Sequence, residues 1–560
     1  MSAELTAQEP SAKYLVNLQQ PLVRHFDLIA QAPGGVARLR ELILTLAVQG
    51  KLVPQDSSDE PASELLKKIR TEKDRLIAEG KMKRDKPLAE IADEEQPFEL
   101  PHGWEWVRLG SVFTLEYGSA MPEKSRLHGD IPVYGSNGIV GFHNESLIQS
   151  PSLIVGRKGS VGAVNMSLSA FWPIDTSYFV TPPSGIDLRF SYFLFVSLKL
   201  GKHDKATAIP GINRNDVYKE VVALPPESEQ SRIVTRIEEL MQLCDALEAS
   251  GQLEAQHHAL LVNTLLGMLT QSETPEALAD NWQRIATHFD VLFDRPEAVD
   301  AFEQTILQLA VRGLLVPQDP TDEPASVLLQ KIRTEKDHLI AQGKIKRDKP
   351  LPPITDEEKP FDLPQGWEWV RLCDLMPDFQ NGASSRGDSG GHLITVLRLA
   401  DIKKRRISLT DTREIPIASN DIAKYRLEEG DILITRVNGS AEIVGQFNLC
   451  DRPVDAIYCD HFIRMRIDRQ WIAPDFCALL GESPIVRESI QSLFITTAGQ
   501  KTVNQGHIGS LQFPLPPLAE QSRIVTRVNE LRSLCADLRG RILTGQAVQR
   551  NLADALVVSD

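Results

Sequence analysis

Apolar residues return in alternating steps of 4 and 3 along two stretches of the 560-residue chain that are near copies of each other. Residues 224–247 read LPPESEQSRIVTRIEELMQLCDAL and residues 515–538 read LPPLAEQSRIVTRVNELRSLCADL; 16 of the 24 positions are identical at a constant offset of 291. Ile233, Ile237, Leu240, Cys244 and Leu247 form the stripe in the first copy, and Ile524, Val528, Leu531, Cys535 and Leu538 in the second. That spacing predicts a helix with a coiled-coil seam, suited to a second helix or a partner. The Pro pair closes off what precedes it, because proline cannot donate to a ladder. Ser228 or Glu229 is expected to cap the first helix, with acidic residues in the first turn favoured by the dipole. One copy alone would read as an ordinary amphipathic surface helix. Two copies, each following a segment rich in Gly and aromatic residues, predict a globular segment and a helix used twice as one unit.

A longer repeat lies upstream. Residues 39–109 align without gaps on 302–372, with 51 of 71 identities at an offset of 263, and His25-Phe26-Asp27 and His288-Phe289-Asp290 extend it backwards. Each copy predicts a first helix (36–52 and 299–315) stopping near Gly50 or Gly313, then the turn LVPQD. A second helix follows in each, with Asp59 and Pro61 as start signals and Gly80 as stop in the first copy, and its twin over 322–343. The basic tails KMKRDKP and KIKRDKP and the acidic stretches after them read as solvated linkers. Both linkers end in GWEWVRL, read as the opening strand of a globular segment with its Trp pair packing it down. The central helical block thus has a front half repeated at the C-terminus and a back half repeated at the N-terminus. This is a pseudo-two-fold circular internal repeat, and it requires residues 1–100 and 515–560 to meet.

The two globular segments break into short apolar runs separated by Gly, Ser and Asn, which indicates strands with tight turns. Helices are expected near 190–200 and 474–483. The expected fold class is α+β. An N-terminal helical segment (1–100) precedes a mixed α/β segment (101–223). A central helical block (224–363), a second mixed α/β segment (364–514) and a C-terminal helix (515–560) follow.

Length alone implies several domains. Net charge is −15, which argues against wholesale coating of nucleic acid. Its distribution changes the picture: segment 110–223 holds 10 Lys+Arg and 9 Asp+Glu, and segment 373–514 holds 16 and 18, so the acidity sits on the helices. A nucleic acid would suit the two near-neutral segments, and the acidic helices look like a surface for protein. The start MSAELTAQEP carries no signal peptide pattern, and the apolar run 259–269 is too short to span a bilayer. Six Cys without a CxxC pair read as buried free thiols in a reducing cytoplasm.

No catalytic signature is present. There is no phosphate-binding Gly-x-x-x-x-Gly-Lys-Ser/Thr, no GxGxxG after a strand, and no Asn/Asp-Pro-Pro-aromatic run. His257 and His258 are adjacent and face different directions on a helix, so no metal site is expected. The residues suited to recognition lie in the globular segments. Arg157-Lys158 and Arg436 adjoin Gly-Ser turns, where Ser160, Asn438 and Ser440 can meet phosphate while Arg reaches a guanine edge. Tyr134, Ser136 and Asn137 offer an aromatic ring, a hydroxyl and an amide on one turn. Lys403, Lys404, Arg405 and Arg406 form the densest basic run, suited to phosphates. Arg214 and Lys501 complete the set. A solvated turn explains each of these equally well taken singly.

The motifs together resemble the specificity subunit of type I restriction–modification systems. They are GWEWVRL at 103–109 and 366–372, YGSNGIVG at 134–141, GRKGSVG at 156–162, IPGINRNDV at 209–217, GDILITR at 430–436, the two EQSRIVTR helix starts and LAVQGKLVPQD at 46–56. The resemblance implies two target recognition domains, one for each half of a split DNA sequence. It implies two long antiparallel coiled-coil helical spacers between them. It also implies docking to two modification (methyltransferase) subunits, which carry S-adenosylmethionine, and through them to restriction (motor-nuclease) subunits that use ATP and Mg. The chain itself would be non-catalytic and hold no cofactor. Two readings from other classes remain: a protein–protein scaffold whose globular segments bind peptides or carbohydrates, and a nuclease with a diverged site.

Overall fold

A computed structural model describes residues 29–81, 87–203, 211–345, 351–384, 391–403, 405–497 and 499–558. The chain splits into two compact units, residues 1–254 with 545–560, and residues 255–544. The His25-Phe26-Asp27 triplet and most of both basic tails lie outside the described residues.

In the first unit, α1 (Gly35–Val48) stops four residues before the expected end. Gly50 takes a positive φ of 70°, and a Cβ there would sit 2.4 Å from the Pro101 ring, so the turn and the close approach both need glycine. α2 (Ala62–Ala78) runs up to the stop at Gly80. The globular segment opens with β1 (Glu105–Arg108) and continues through β2 (Glu116–Tyr117), β3 (Ile131–Gly135), β4 (Gly138–His143) and β5 (Ser152–Gly156). β6 (Val164–Ser167), β7 (Trp172–Pro173), β8 (Ser177–Val180), α3 (Leu188–Ser197) and β9 (Val221–Leu224) follow. β9 returns antiparallel to β1, with Glu105 opposite Leu224. It hands the chain to α4 (Glu227–Thr270).

The start of α4 is a closed polar joint. The Trp104 indole N–H donates to Glu229 Oε2 at 2.9 Å, and Gln55 donates to Glu229 Oε1 at 2.8 Å. Ser228 donates to Asp59 at 2.6 Å, and Arg232 pairs with the same carboxylate. Ser228 and Glu229 therefore lie inside the first turn and reach to neighbours; neither caps the helix. Pro226 O receives the backbone N–H of Glu229 and Gln230 instead. Burial holds the Glu229 carboxyl above its usual range, opposed by the bonds from Trp104 and Gln55.

Beyond the joint, Ile233, Ile237, Leu240 and Cys244 are fully buried and Leu247 is half-buried. They share a core with Leu39 and Ile43 of α1 and with Phe190 and Phe195 of α3, so this chain covers its own seam. Ile233, Ile237 and Leu240 each contribute about 1.5–3 kcal/mol by burial. Ala553 joins the same core, and Arg38 pairs with Asp554, so the C-terminal helix meets the N-terminal segment within this unit.

The second unit repeats the plan. α5 (Pro275–Thr287) precedes α6 (Pro296–Val311), which stops at Gly313; α7 (Ala325–Ala341) stops at Gly343. β10 (Glu368–Arg371) pairs with the last strand, β23 (Gln512–Leu515), which leads into α10 (Leu518–Val558). Trp367 donates to Glu520 at 3.0 Å, and Arg523 pairs with Asp322 at 2.5 Å. Ile524, Val528 and Cys535 are buried, and Leu531 and Leu538 pack partly against the same core.

The two globular segments differ in sequence yet share a topology. The first has a four-stranded antiparallel sheet in the order β2-β8-β5-β6 and a three-stranded sheet β4-β3-β7 whose last pair is parallel. The strands of the second are β11 (Asp378–Asn381), β12 (His392–Leu397), β13 (Ile402–Lys403), β14 (Arg406–Ile407), β15 (Arg413–Ile417) and β16 (Ile432–Thr435). They continue with β17 (Val437–Asn438), β18 (Phe447–Leu449), β19 (Ile457–Tyr458) and β20 (Phe462–Arg466). Helices α8 (Pro474–Glu482) and α9 (Pro484–Ser492) follow, then β21 (Ile495–Thr497) and β22 (Gln500–Thr502). Its sheets run β11-β20-β16-β18 and β15-β12-β19, again with the last pair parallel. The structure is thus mixed α/β. All six cysteines are free, and all but the half-buried Cys373 are buried. Among the described residues no helix is long and apolar enough to cross a membrane.

Candidate nucleic-acid interface

β5 is buried along its whole length and delivers the chain to the Arg157–Ser160 turn. A Cβ on Gly156 would lie 2.1 Å from Ser160 O and 2.6 Å from Ser136 O. Only glycine lets the 134–138 turn close onto the 157–160 turn, so these two candidate stretches are neighbours. Arg157 is hooked from behind. Its backbone N–H donates to Thr176 O at 2.9 Å, and Nη1 donates to Asp175 O at 2.9 Å. The guanidinium lies 4.9 Å from the centre of the Tyr117 ring, and the Arg214 guanidinium lies 5.2 Å from the same ring. Tyr117 is 48% exposed. Burial pushes the neighbouring Tyr178 hydroxyl up to about 12. Asn137, Lys158 and Ser160 are exposed and Ser136 is half-buried. Tyr134 differs from expectation: it is buried and meets Phe171 edge-on at 5.7 Å, so its ring is core.

In the second segment, Arg436 follows β16 as Arg157 follows β5. Its N–H donates to His461 O at 2.7 Å and Nη1 to Asp460 O at 3.3 Å, the same hook built on an Asp carbonyl. Asn438 Oδ1 accepts the Ser440 N–H at 2.8 Å, and Lys501 Nζ donates to Gly439 O at 3.0 Å. β17 pairs with β22, placing Asn438 opposite Lys501, so Arg436, Asn438, Ser440 and Lys501 form one group. The basic run is placed differently. Lys403 and Arg406 are exposed and Lys404 lies outside the described residues. Arg405, at φ 61°, turns its guanidinium to Glu482 at 3.2 Å. Arg405 and Arg406 line a cleft of about 520 Å³ with Glu303, Asp475 and Glu482. Arg405 thus has a carboxylate of α8 beside it, which Arg532 shares.

Residues 101–256 match the family described as "Type I restriction modification DNA specificity domain". The chain is 37% identical over 574 residues to the type I restriction enzyme EcoAI specificity subunit of Escherichia coli, covering 93% of each chain. It is 33% identical over 568 residues to the EcoEI specificity subunit of the same organism, again covering 93% of each. The chain belongs to the type I restriction enzyme specificity-subunit family. A solved specificity subunit from Thermoanaerobacter tengcongensis is similar at a TM-score of 0.38 and 17% identity, over 83% of this chain and 97% of that one, too loosely to add to the fold above.

This specificity subunit offers one group of potential cation ligands among the described residues, Cys459, Asp460 and His461, with ligand atoms within 4.8 Å of one another. Burial pushes the Cys459 thiol up to about 11, away from the thiolate that a soft metal takes. Sequence reasoning missed Tyr117 and the two Asp carbonyl hooks. A backbone acceptor has no residue signature. The two-residue strand β2 is too short to show a period.

Proposed function

We propose that this specificity subunit selects DNA for a type I restriction–modification complex through two readers, residues 101–223 and 364–514, each taking one half of a split target. The observation that carries this is the repeated construction of Arg157 and Arg436. Two segments of different sequence and one topology present an arginine at the same point of the sheet, each fixed through an Asp carbonyl. A guanidinium so anchored keeps most of its five donors for a guanine edge or a phosphate. Methylation belongs to modification subunits with S-adenosylmethionine, and cleavage to restriction subunits with ATP and Mg. Helical segments 1–100 with 515–560, and 224–363, act as antiparallel spacers and dock two modification subunits. The acidic charge of those helices supports a protein partner there. Family membership does not favour a general protein scaffold.

The test is methylome sequencing of a host that expresses this chain with its modification subunit. One two-part motif methylated on both strands is expected, and exchange of the first reader for another should alter one half only. Simultaneous change of both halves would sink the two-reader proposal.

A further inference from the structure

The hook shared by the two readers makes their surroundings comparable position by position. Gly156 lies opposite Ser177 in the first sheet and Thr435 opposite Phe462 in the second, which matches Arg157 with Arg436. Tyr117 lies opposite Tyr178, one residue beyond Ser177; Asn381 lies opposite Ile463, one residue beyond Phe462. Tyr117 and Asn381 therefore occupy the same place. The third member comes from the end of each reader. Arg214 follows Asn213, whose side chain caps a short helix; Gln505 follows Asn504, which does the same at the offset of 291. In the first reader Arg214 lies on the Tyr117 ring. In the second, Gln505 Nε2 donates to Asn381 Oδ1 at 3.1 Å. The same two positions touch in both readers, with different chemistry.

We infer that each reader carries a three-position reading site, in which the arginine is common and the touching pair sets the base. The pair is Tyr117 with Arg214 in the first reader and Asn381 with Gln505 in the second. A guanidinium matches the O6/N7 edge of guanine, whereas a carboxamide matches the N6/N7 edge of adenine. The first site is thus suited to guanine, with the Tyr117 ring holding Arg214 in place. The second is suited to adenine, with the Asn381–Gln505 bond orienting both amides. Tyr117 and Asn381 are exposed and Arg214 and Gln505 half-buried, so an edge of DNA can reach them. The partners that orient Arg214 and Gln505 come from strands distant in sequence, which is why neither motif shows the pairing alone.

This inference rests on the two-reader function, and the experiment separates them. The assembled complex carries Tyr117→Asn with Arg214→Gln, moving the second reader's pair into the first, and methylated sites are read by sequencing. Adenine is expected to be accepted in place of guanine at one base pair of the first half-site, with preference shifted about tenfold or more, while the second half-site is unchanged. If the double variant does not assemble, Arg214→Gln alone, which keeps Tyr117 on Tyr178, reads the same shift. An unchanged first half-site at full methylation overturns the inference. So does a uniform loss of affinity with base choice intact, which marks Arg214 as a phosphate contact. A wild-type complex without a two-part motif would fail the function itself, whatever the variants do.

Discussion

Arg157→Ala is the most informative single change at the first reader. The side chain has three attachments within the protein: Nη1 to Asp175 O at 2.9 Å, and the guanidinium 4.9 Å from the Tyr117 ring and 5.8 Å from the Tyr178 ring. A charge-assisted hydrogen bond contributes about 1.5–3 kcal/mol and a partly exposed cation–ring contact about 0.5–1 kcal/mol. Arg157 is half-buried, so the lower end applies, and the variant should lose roughly 2 kcal/mol of stability. The loss on DNA is separate. If a base edge is read in a bidentate manner, specific binding should weaken by about 1–3 kcal/mol, with relaxed choice at one base pair. If a phosphate is held, all sequences should weaken alike and the salt slope should shrink by about one. Arg157→Lys divides the cases, since it keeps the charge and loses the planar fork. The assay is titration of the complex with modification subunits against cognate and single-mismatch duplexes at several salt concentrations. Arg157→Ala with unchanged affinity, base choice and salt slope would refute the assignment and leave Arg157 a structural hook.

Other expected outcomes follow from the same geometry. Gly156→Ala places a methyl 2.1 Å from Ser160 O, so it should displace the Arg157 turn and abolish recognition of the first half-site while the second is still bound. Gel shifts with each half-site altered in turn would show this, and intact first-half recognition would contradict it. Ile237→Ala should destabilise the chain by about 2–5 kcal/mol in denaturant unfolding without any partner present, because Ile237 is 1% exposed within its own unit. A negligible effect would mean that the seam is open until a partner arrives. Burial raises the folded-state value of the Glu229 carboxyl above its unfolded one, so its favourable contribution is complete below the ordinary carboxylate range and is lost as pH rises through the raised value. The midpoint of wild type relative to Glu229→Gln should therefore fall as pH rises above the ordinary carboxylate range. A difference that does not move with pH would place the charge elsewhere.

What the sequence made legible depended on the range of the interactions. Helix ends were readable because Gly50, Gly80, Gly313 and Gly343 each take a positive φ at the stop, a local property of one residue. The seams were readable because a 3-4 period survives whatever buries it. What buries it was not, since the covering residues, such as Leu39 and Phe190, come from distant elements. Ser228 was misplaced as a cap because its partner, Asp59, lies 169 residues away. Arg157 and Arg436 stood out beside Gly-Ser turns, yet Tyr117 stands in a two-residue strand with no pattern. The basic run carried no sign that Arg405 meets Glu482, which is remote in sequence. Tyr134 looked like a binding ring because an aromatic on a Gly-rich turn carries no sign of whether Phe171 waits behind it.

The joint between reader and helix also decides where an exchange of readers can be cut. Trp104 and Trp367 donate to Glu229 and Glu520, both carboxylates buried, and both joints use the same letters on either side. Losing Trp104 leaves the buried Glu229 Oε2 without its donor, which costs about 1–3 kcal/mol. Exposed residues such as Tyr117 and Asn381 carry no such penalty, so identity at the joint and divergence at these exposed positions have one physical cause. β1 and β9 form the neck of the first reader, paired from Glu105–Leu224 to Arg108–Val221. A cut at 110 and 223 keeps β1 and replaces most of β9, setting a native strand against a foreign one. A cut at 104 and 225 moves both strands together and leaves Trp104 to meet Glu229 as before. The second exchange is therefore expected to yield an assembled complex with a new first half-site and an unchanged second one. The first is expected to lose stability at the neck in proportion to the mismatch along the three pairs from Trp106–Ala223 to Arg108–Val221. Equal yield and thermal stability for the two exchanges would show that the β1–β9 pair does not hold the reader in place.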